Sequence, residues 1–126
     1  LTVNAMVAAH SVLVPLQSEF FALEGLSQLM LTIREVRQSA NKNLRMEGVL
    51  LTMYDARNNL SQAVEADARE NLGDIVYQTK IPRNVRVSEA PSYAMTVLDF
   101  DTGSKGAKAY RDLAREFLQK NEAAEA

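Results

Sequence analysis

The sequence has 126 residues, of which 47% are hydrophobic, and its formal net charge is −2. This length and apolar content suit a single domain, residues 1–126, that buries a core. Because the charges nearly balance, any surface that attracts nucleic acid has to be local. Without Cys and with only one His, His10, the sequence excludes disulfides and thiolate metal sites, and we predict no metal site.

The first half of the chain alternates between helical and extended patterns. Residues 2–9 suit a short helix, and the β-branched run at 11–16 suits a buried strand. Apolar residues at three- and four-residue steps predict a helix over 22–38. Residues 46–55 are apolar on both faces, which is typical of a strand that helices cover on both sides of a parallel sheet.

The second half continues the alternation. Asn59 is the predicted N-cap of a helix over 60–72, and a strand over 74–82 follows. We predict a shorter strand at 96–100, and then a last helix that Ser104 caps.

This alternation predicts an α/β fold, with a mostly parallel sheet flanked by helices. Ligands of such sheets bind at the carboxyl ends of the strands. Three segments rich in polar and turn-forming residues fall there, namely PLQSEF at 15–20, TMYDARNN at 52–59 and IPRNVRVSEAP at 81–91.

Four stretches together resemble a known family. They are PLQSEFFALEGLSQLMLTI, EGVLLTMYDARNNLSQAV, IPRNVRVSEAPSY and GSKGAKAYRDLAREFL, which cover most of the chain in order. They resemble the C-terminal half of the ParA/Soj chromosome- and plasmid-partitioning ATPases, which are relatives of MinD with a deviant Walker A motif. The resemblance implies the C-terminal half of a P-loop NTPase-like fold.

The resemblance also implies a function for the complete protein. ParA-type ATPases are cytoplasmic and nucleoid-associated, dimerise on ATP with Mg²⁺, bind DNA without sequence preference and are stimulated by a ParB-type partner. The Walker A and Walker B motifs of the family are missing from these residues, since TGSKGAK at 102–108 lacks the P-loop spacing. We therefore expect a fragment that has no catalytic residue, does not hydrolyse ATP alone and holds no bound cofactor.

The resemblance assigns DNA binding to two arginines, which pair with phosphate oxygens. Two lysines in the first turn of the last predicted helix are further candidates, because backbone amides there attract phosphate. The pattern alone also fits solvated arginines, or partners of Asp55 and Glu89, and a solvated charged face for the lysines. The predicted DNA-binding residues are Arg57, Arg86, Lys105 and Lys108.

A second group would frame the adenine of ATP in a complete family member, whereas in this chain by itself the same residues suit a rigid turn without a ligand. This predicted base pocket consists of Thr52, Met53, Pro82, Arg83 and Asn84. Gln17 and Glu19 resemble residues near the nucleotide or the dimer face.

The family also implies a strand that lies beside residues 12–16 and is absent from this sequence. The exposed edge of strand 12–16 therefore predicts self-association of the chain. A MinD-like membrane-positioning ATPase is one alternative, but the acidic ending NEAAEA lacks the basic amphipathic helix that it would need, so we predict no membrane contact. A free-standing α/β interaction module is the other.

Overall fold

A computed structural model describes residues 1–125, with side chains through residue 122. Three strands form a parallel sheet in the order β1-β2-β3. Six helices, α1 to α6, accompany them in these residues. The strands are β1 (Ser11–Gln17), β2 (Arg45–Tyr54) and β3 (Val76–Pro82), and the helices are α1 (Thr2–Ala8), α2 (Ala22–Ser39), α3 (Asn59–Leu72), α4 (Val85–Glu89), α5 (Val97–Phe100) and α6 (Lys105–Glu125).

The two faces of the sheet bury different side chains of β2. Val49 and Leu51 point into the main core with α2 and α3, and both are fully buried. Leu50, between them, packs on the opposite face with Ala109 of α6. Because helices cover both faces, β2 is apolar throughout its centre, as the sequence predicts. The predicted fold class, a parallel sheet flanked by helices, is confirmed.

The predicted strand at 96–100 is wrong, because these residues form the short helix α5. The Thr96 side chain accepts a hydrogen bond from the backbone N–H of Asp99, at 3.3 Å, and so caps the helix. Val97 packs with Ala90 and Ala107 in a small core of its own. A Thr that precedes an acidic residue by three positions is a capping signal, and here this signal outweighs the β-branched composition.

Two further details of the prediction are corrected. The N-cap of α3 is Asn58, not Asn59, since the Asn58 side chain accepts from the backbone N–H of Leu60 at 2.8 Å. The segment after β3, which is rich in polar and turn-forming residues, is more regular than a loop, because it forms α4 and then a 3-10 turn over Ala90–Tyr93. The predicted cap at Ser104 is confirmed by its bond from the N–H of Ala107, at 3.1 Å.

The two outer strands of the sheet have different edges. The Glu116 carboxylate of α6 accepts hydrogen bonds from the backbone N–H groups of Gln78 and Thr79 in β3, both at 2.8 Å. The edge of β1 is occupied by no strand among residues 1–125. Within the same residues, no helix is both long enough and apolar enough to cross a bilayer.

Candidate nucleotide and nucleic-acid site

The carboxyl ends of the three strands are joined by hydrogen bonds. Ser18, directly after β1, donates to the carbonyl of Thr52 from its backbone N–H at 3.2 Å and from its hydroxyl at 3.1 Å. The N–H of Arg83, directly after β3, donates to the carbonyl of Tyr54 at 2.9 Å. The three loops therefore start from one fixed edge of the sheet, where open parallel sheets bind their ligands.

The predicted base-pocket residues lie on two neighbouring strand ends. Thr52 and Met53 directly precede Tyr54, the last residue of β2, and Pro82 ends β3 directly opposite Tyr54. Met53 adopts φ = 51°, an uncommon backbone conformation for a residue other than Gly, and its side chain is partly exposed. Strained backbone of this kind occurs often where a protein holds a ligand.

The remaining residues of this prediction are placed less uniformly. Arg83 is exposed, and Asn84 is half-buried. The Asn84 side-chain oxygen caps α4 by accepting from the N–H of Arg86 at 2.9 Å. Gln17 pairs with Thr52 across the sheet, and Glu19 lies two residues further along the chain. Both residues therefore lie beside the base-pocket group, and both are exposed.

Glu65 of α3 holds the ends of β2 and β3 together. Its carboxylate accepts from the Tyr54 hydroxyl at 2.8 Å and from Arg69 Nε at 3.0 Å, and it pairs with Lys80 at 3.2 Å. Desolvation raises the pKa of Glu65, but these three donors outweigh it and hold the pKa below its ordinary value. The Glu65 hydrogen bond in turn raises the pKa of the Tyr54 hydroxyl.

Arg57 projects from the loop after β2. Its side chain is 93% exposed, and its Nε lies 3.3 Å from the Asp55 carboxylate. The Asp55 carboxylate also accepts from the backbone N–H of Arg57 at 3.0 Å. The backbone bond and then the side-chain bond from Arg57 lower the pKa of Asp55. The loop thus holds the Asp55 carboxylate beside Arg57 while the guanidinium of Arg57 stays exposed to solvent.

Arg86 lies on α4 between two carboxylates. Its Nη1 is 3.0 Å from Glu89 on the same helix, and its Nε is 3.3 Å from Asp101 at the end of α5. Lys105 and Lys108 are exposed in the first turn of α6.

A glycine brings α4 close to the lysines of α6. A Cβ on Gly106 would overlap the side chain of Val87, so this glycine permits the two helices to touch. The structure therefore places Arg86 and the two lysines on adjoining helices, whereas Arg57 comes from the neighbouring loop at the same edge of the sheet.

Sequence reasoning missed Ser18 and Asp101. Ser18 is buried and links β1 to β2, while Asp101 pairs with Arg86 across two helices. A small polar residue two positions after the predicted strand at 11–16 was a signal for Ser18. No local pattern pointed to the partner of Arg86 on α5.

Comparison with known proteins identifies relatives of nearly the whole chain. A family model described as an AAA domain matches residues 1–46. The chromosome partitioning protein ParA of Caulobacter vibrioides is 59% identical over 120 residues, which are 95% of this chain and 45% of that protein. The chromosome-partitioning ATPase Soj of Thermus thermophilus is 50% identical over 118 residues, 94% of this chain and 47% of that protein.

Two solved structures, a synthase and an ATPase, share this fold. A cobyrinic acid a,c-diamide synthase from Mycobacterium smegmatis, with bound ADP and magnesium, matches 98% of this chain and 43% of its own, with a TM-score of 0.72 and 34% identity. The cell division ATPase MinD of Pyrococcus furiosus matches 92% of this chain and 45% of its own, with a TM-score of 0.72; at 21% identity it shows the fold alone.

The chain spans somewhat less than half the length of the curated relatives that it matches. Over the matched residues these two partitioning proteins are 59% and 50% identical to it, and the synthase and MinD share its fold. Over at least 94% of its length the chain is similar to the ParA and Soj chromosome-partitioning proteins.

Proposed function

We propose that this chain is the part of a ParA-type partitioning ATPase that contacts DNA and the adenine base. The complete protein binds ATP and Mg²⁺, dimerises on ATP, binds DNA non-specifically in the cytoplasm and works with a ParB-type partner on chromosome or plasmid segregation. The observation that supports the proposal most is that the base-pocket residues and the loop of Arg57 start from one edge of the sheet. At this edge β3 leads into α4, which carries Arg86 and touches the start of α6 with its two lysines.

The DNA-binding surface consists of Arg57, Arg86, Lys105 and Lys108. Arginine forks pair with phosphate oxygens, and none of these side chains has to read a base. The exposure of Arg57 and its accessible ion pair with Asp55 suit such a contact, since exposed ion pairs contribute only about 0–1 kcal/mol and exchange readily for phosphate. The base pocket and the Gln17–Glu19 segment serve ATP in the complete protein, and this chain alone does not hydrolyse ATP.

The test is DNA binding across a salt series with an Arg57→Ala, Arg86→Ala double variant. The slope of log K against log salt is negative, and each lost phosphate contact makes it shallower by about 0.9. The slope of the double variant should therefore be shallower than that of the parent by about 2. Arg115→Ala is the matched control, because Arg115 is also exposed and pairs with an acid, Asp112, at 2.8 Å. A double variant that binds DNA with the parental affinity and slope contradicts the proposal.

The same chain is proposed to self-associate through the edge of β1, residues 12–16. The backbone carbonyl of His10 accepts from the N–H of Arg45, and the N–H of Ser18 donates to the carbonyl of Thr52. The backbone groups of the even-numbered residues of β1 therefore point toward β2. Leu13, Pro15 and Gln17 therefore turn their backbone groups to the open side. Pro15 has no N–H group, so it leaves no unpaired donor on the open edge, and proline is common in edge strands for this reason.

An apolar groove continues from this edge along α6. It has a volume of about 360 Å³. Its lining residues are Leu13, Tyr110, Leu113, Ala114, Phe117 and Leu118. The Leu118 side chain is 56% exposed, and a second copy of the chain would bury it. β3 is a poorer edge for association, because Glu116 already accepts from its N–H groups.

Light scattering tests this association. The parent is expected above the mass of a monomer, and Leu118→Glu is expected to reduce that mass because it places a charge in the groove. Gln119→Glu, which adds the same charge at the next exposed position, is the control. A parent that is a monodisperse monomer contradicts the self-association.

A further inference from the structure

The guanidinium of Arg86 is shared between two carboxylates from different helices. Arg86 Nη1 lies 3.0 Å from Glu89 Oε2, and Arg86 Nε lies 3.3 Å from Asp101 Oδ2. The side chains are between about one third and one half exposed, at 52% for Arg86, 41% for Glu89 and 38% for Asp101. Water and a phosphate group can therefore reach the arginine while both acids hold it.

We propose that Glu89 and Asp101 are positioning residues that compete with DNA phosphate for Arg86 and so limit the affinity of this surface for DNA. The inference rests on the proposed function, in which Arg86 contacts phosphate. An arginine offers five N–H donors, and carboxylate and phosphate oxygens accept from the same fork. A phosphate that approaches Arg86 has to displace a carboxylate or accept repulsion from it.

The two arginines of the surface differ in how their acidic partners are held in place. The partner of Arg57 is two residues away in the same loop and also accepts a backbone hydrogen bond. Asp101, in contrast, is the C-cap of α5 and is far from Arg86 in sequence. The two elements are held together by a buried cluster in which Val97 of α5 packs against Ala90 and Ala107. The Asp101 carboxylate therefore stays beside Arg86 because the fold holds it there.

The strength of the competition follows from the exposure of the groups. Partly exposed ion pairs contribute little to stability because water and salt screen them. We therefore expect a graded effect on affinity, and not an on-off switch. Neutralising one acid should tighten DNA binding about two- to fivefold at low salt.

The experiment compares Asp101→Asn and Glu89→Gln with the parent in binding to a mixed-sequence DNA duplex at about 50 mM salt. Both amides keep the shape of the side chain and remove its charge. Asp99→Asn is the matched control, because Asp99 lies on α5, is exposed and contacts Thr96, not Arg86. The expected result is two- to fivefold tighter binding for each test variant and less than half of that gain for the control.

A second measurement separates competition at Arg86 from a general change of surface charge. In an Arg86→Ala background, Asp101→Asn should give no more gain than the Asp99→Asn control. The inference is overturned if the gain persists without Arg86, or if neither test variant tightens binding. Thermal unfolding of each variant checks its folding, and either test variant suffices if the other fails to fold.

The failure of this inference is distinct from failure of the proposed function. Loss of the proposed function appears as a parent chain that does not bind DNA, or as an Arg86→Ala variant that binds as well as the parent. If Arg86→Ala weakens binding but neither amide variant tightens it, only the inference fails.

Discussion

The contact of Glu116 with the edge of β3 permits the most quantitative prediction. Its carboxylate accepts two backbone hydrogen bonds at 2.8 Å, from Gln78 and Thr79, and its side chain is only 14% exposed. A hydrogen bond to a charged group contributes about 1.5–3 kcal/mol. In a Glu116→Ala variant, water can replace the bond to the exposed Gln78 but replaces the bond to the half-buried Thr79 less well. We therefore expect a loss of about 2–3 kcal/mol in the free energy of unfolding.

This loss is a large part of the stability of a domain, which is about 5–15 kcal/mol. For a chain of this length it lowers the melting temperature by about 10 °C. The assay is urea unfolding at pH 7 and constant protein concentration. Asp112→Ala on the same helix is the control, because it removes a surface ion pair with Arg115 that contributes about 0–1 kcal/mol.

The pH dependence gives an independent check on the same contact. Desolvation raises the pKa of Glu116, but the bonds from Thr79 and Gln78 outweigh it, so the folded-state pKa lies below the ordinary 4.5. A lowered folded-state pKa means that the stabilisation is complete above pH 4.5 and is lost as the pH falls through the folded-state value. The stability advantage of the parent over Glu116→Gln should therefore shrink between pH 5 and pH 3.

Two results would refute this reasoning. One is a Glu116→Ala variant whose free energy of unfolding lies within about 0.5 kcal/mol of that of the Asp112→Ala control. This result would mean that water replaces both hydrogen bonds without cost. The other is a stability difference between the parent and Glu116→Gln that stays constant below pH 5. The contribution of Glu116 would then not depend on its ionised carboxylate.

Two further changes test local features of the fold by urea unfolding. Gly48→Ala should destabilise the protein by about 1–3 kcal/mol, because the new Cβ would lie 2.7 Å from Cδ1 of the buried Tyr77 ring. Gly25→Ala, with no atom within 4 Å of its new Cβ, should stabilise it by up to about 1 kcal/mol, and equal effects at the two glycines would contradict the packing argument. Asn58→Ala should cost about 1 kcal/mol as the loss of a helix cap, whereas Asn59→Ala should cost less than half of that; the reverse order would restore Asn59 as the cap.

Most of the fold could be predicted from hydrophobic periodicity. The strands at 11–16 and 46–55 are observed within one residue at each end, and the helix at 22–38 is observed at Ala22–Ser39. These segments have strong patterns because they bury a continuous face or two faces. The short segment 96–100 does not, and its β-branched residues suggested a strand although its capping signal decided for a helix.

The candidate site could be predicted in part. Parallel topology places the ends of all three strands at one edge, so the base-pocket group and Arg57 could be located before the structure was known. Their roles in binding stay predictions. The bonds from Ser18 to Thr52 could not be foreseen, because they join residues that are 34 positions apart.

The sequence by itself determined the order and type of the long elements and the family resemblance, because periodicity and motifs are local properties that survive without coordinates. The tertiary structure alone decided which charged groups meet. Asp101 holds Arg86, and Glu116 covers β3, because α5 and α6 fold back onto elements that precede them in the chain. Such contacts depend on distances between side chains of different elements, and no spacing within one segment encodes them.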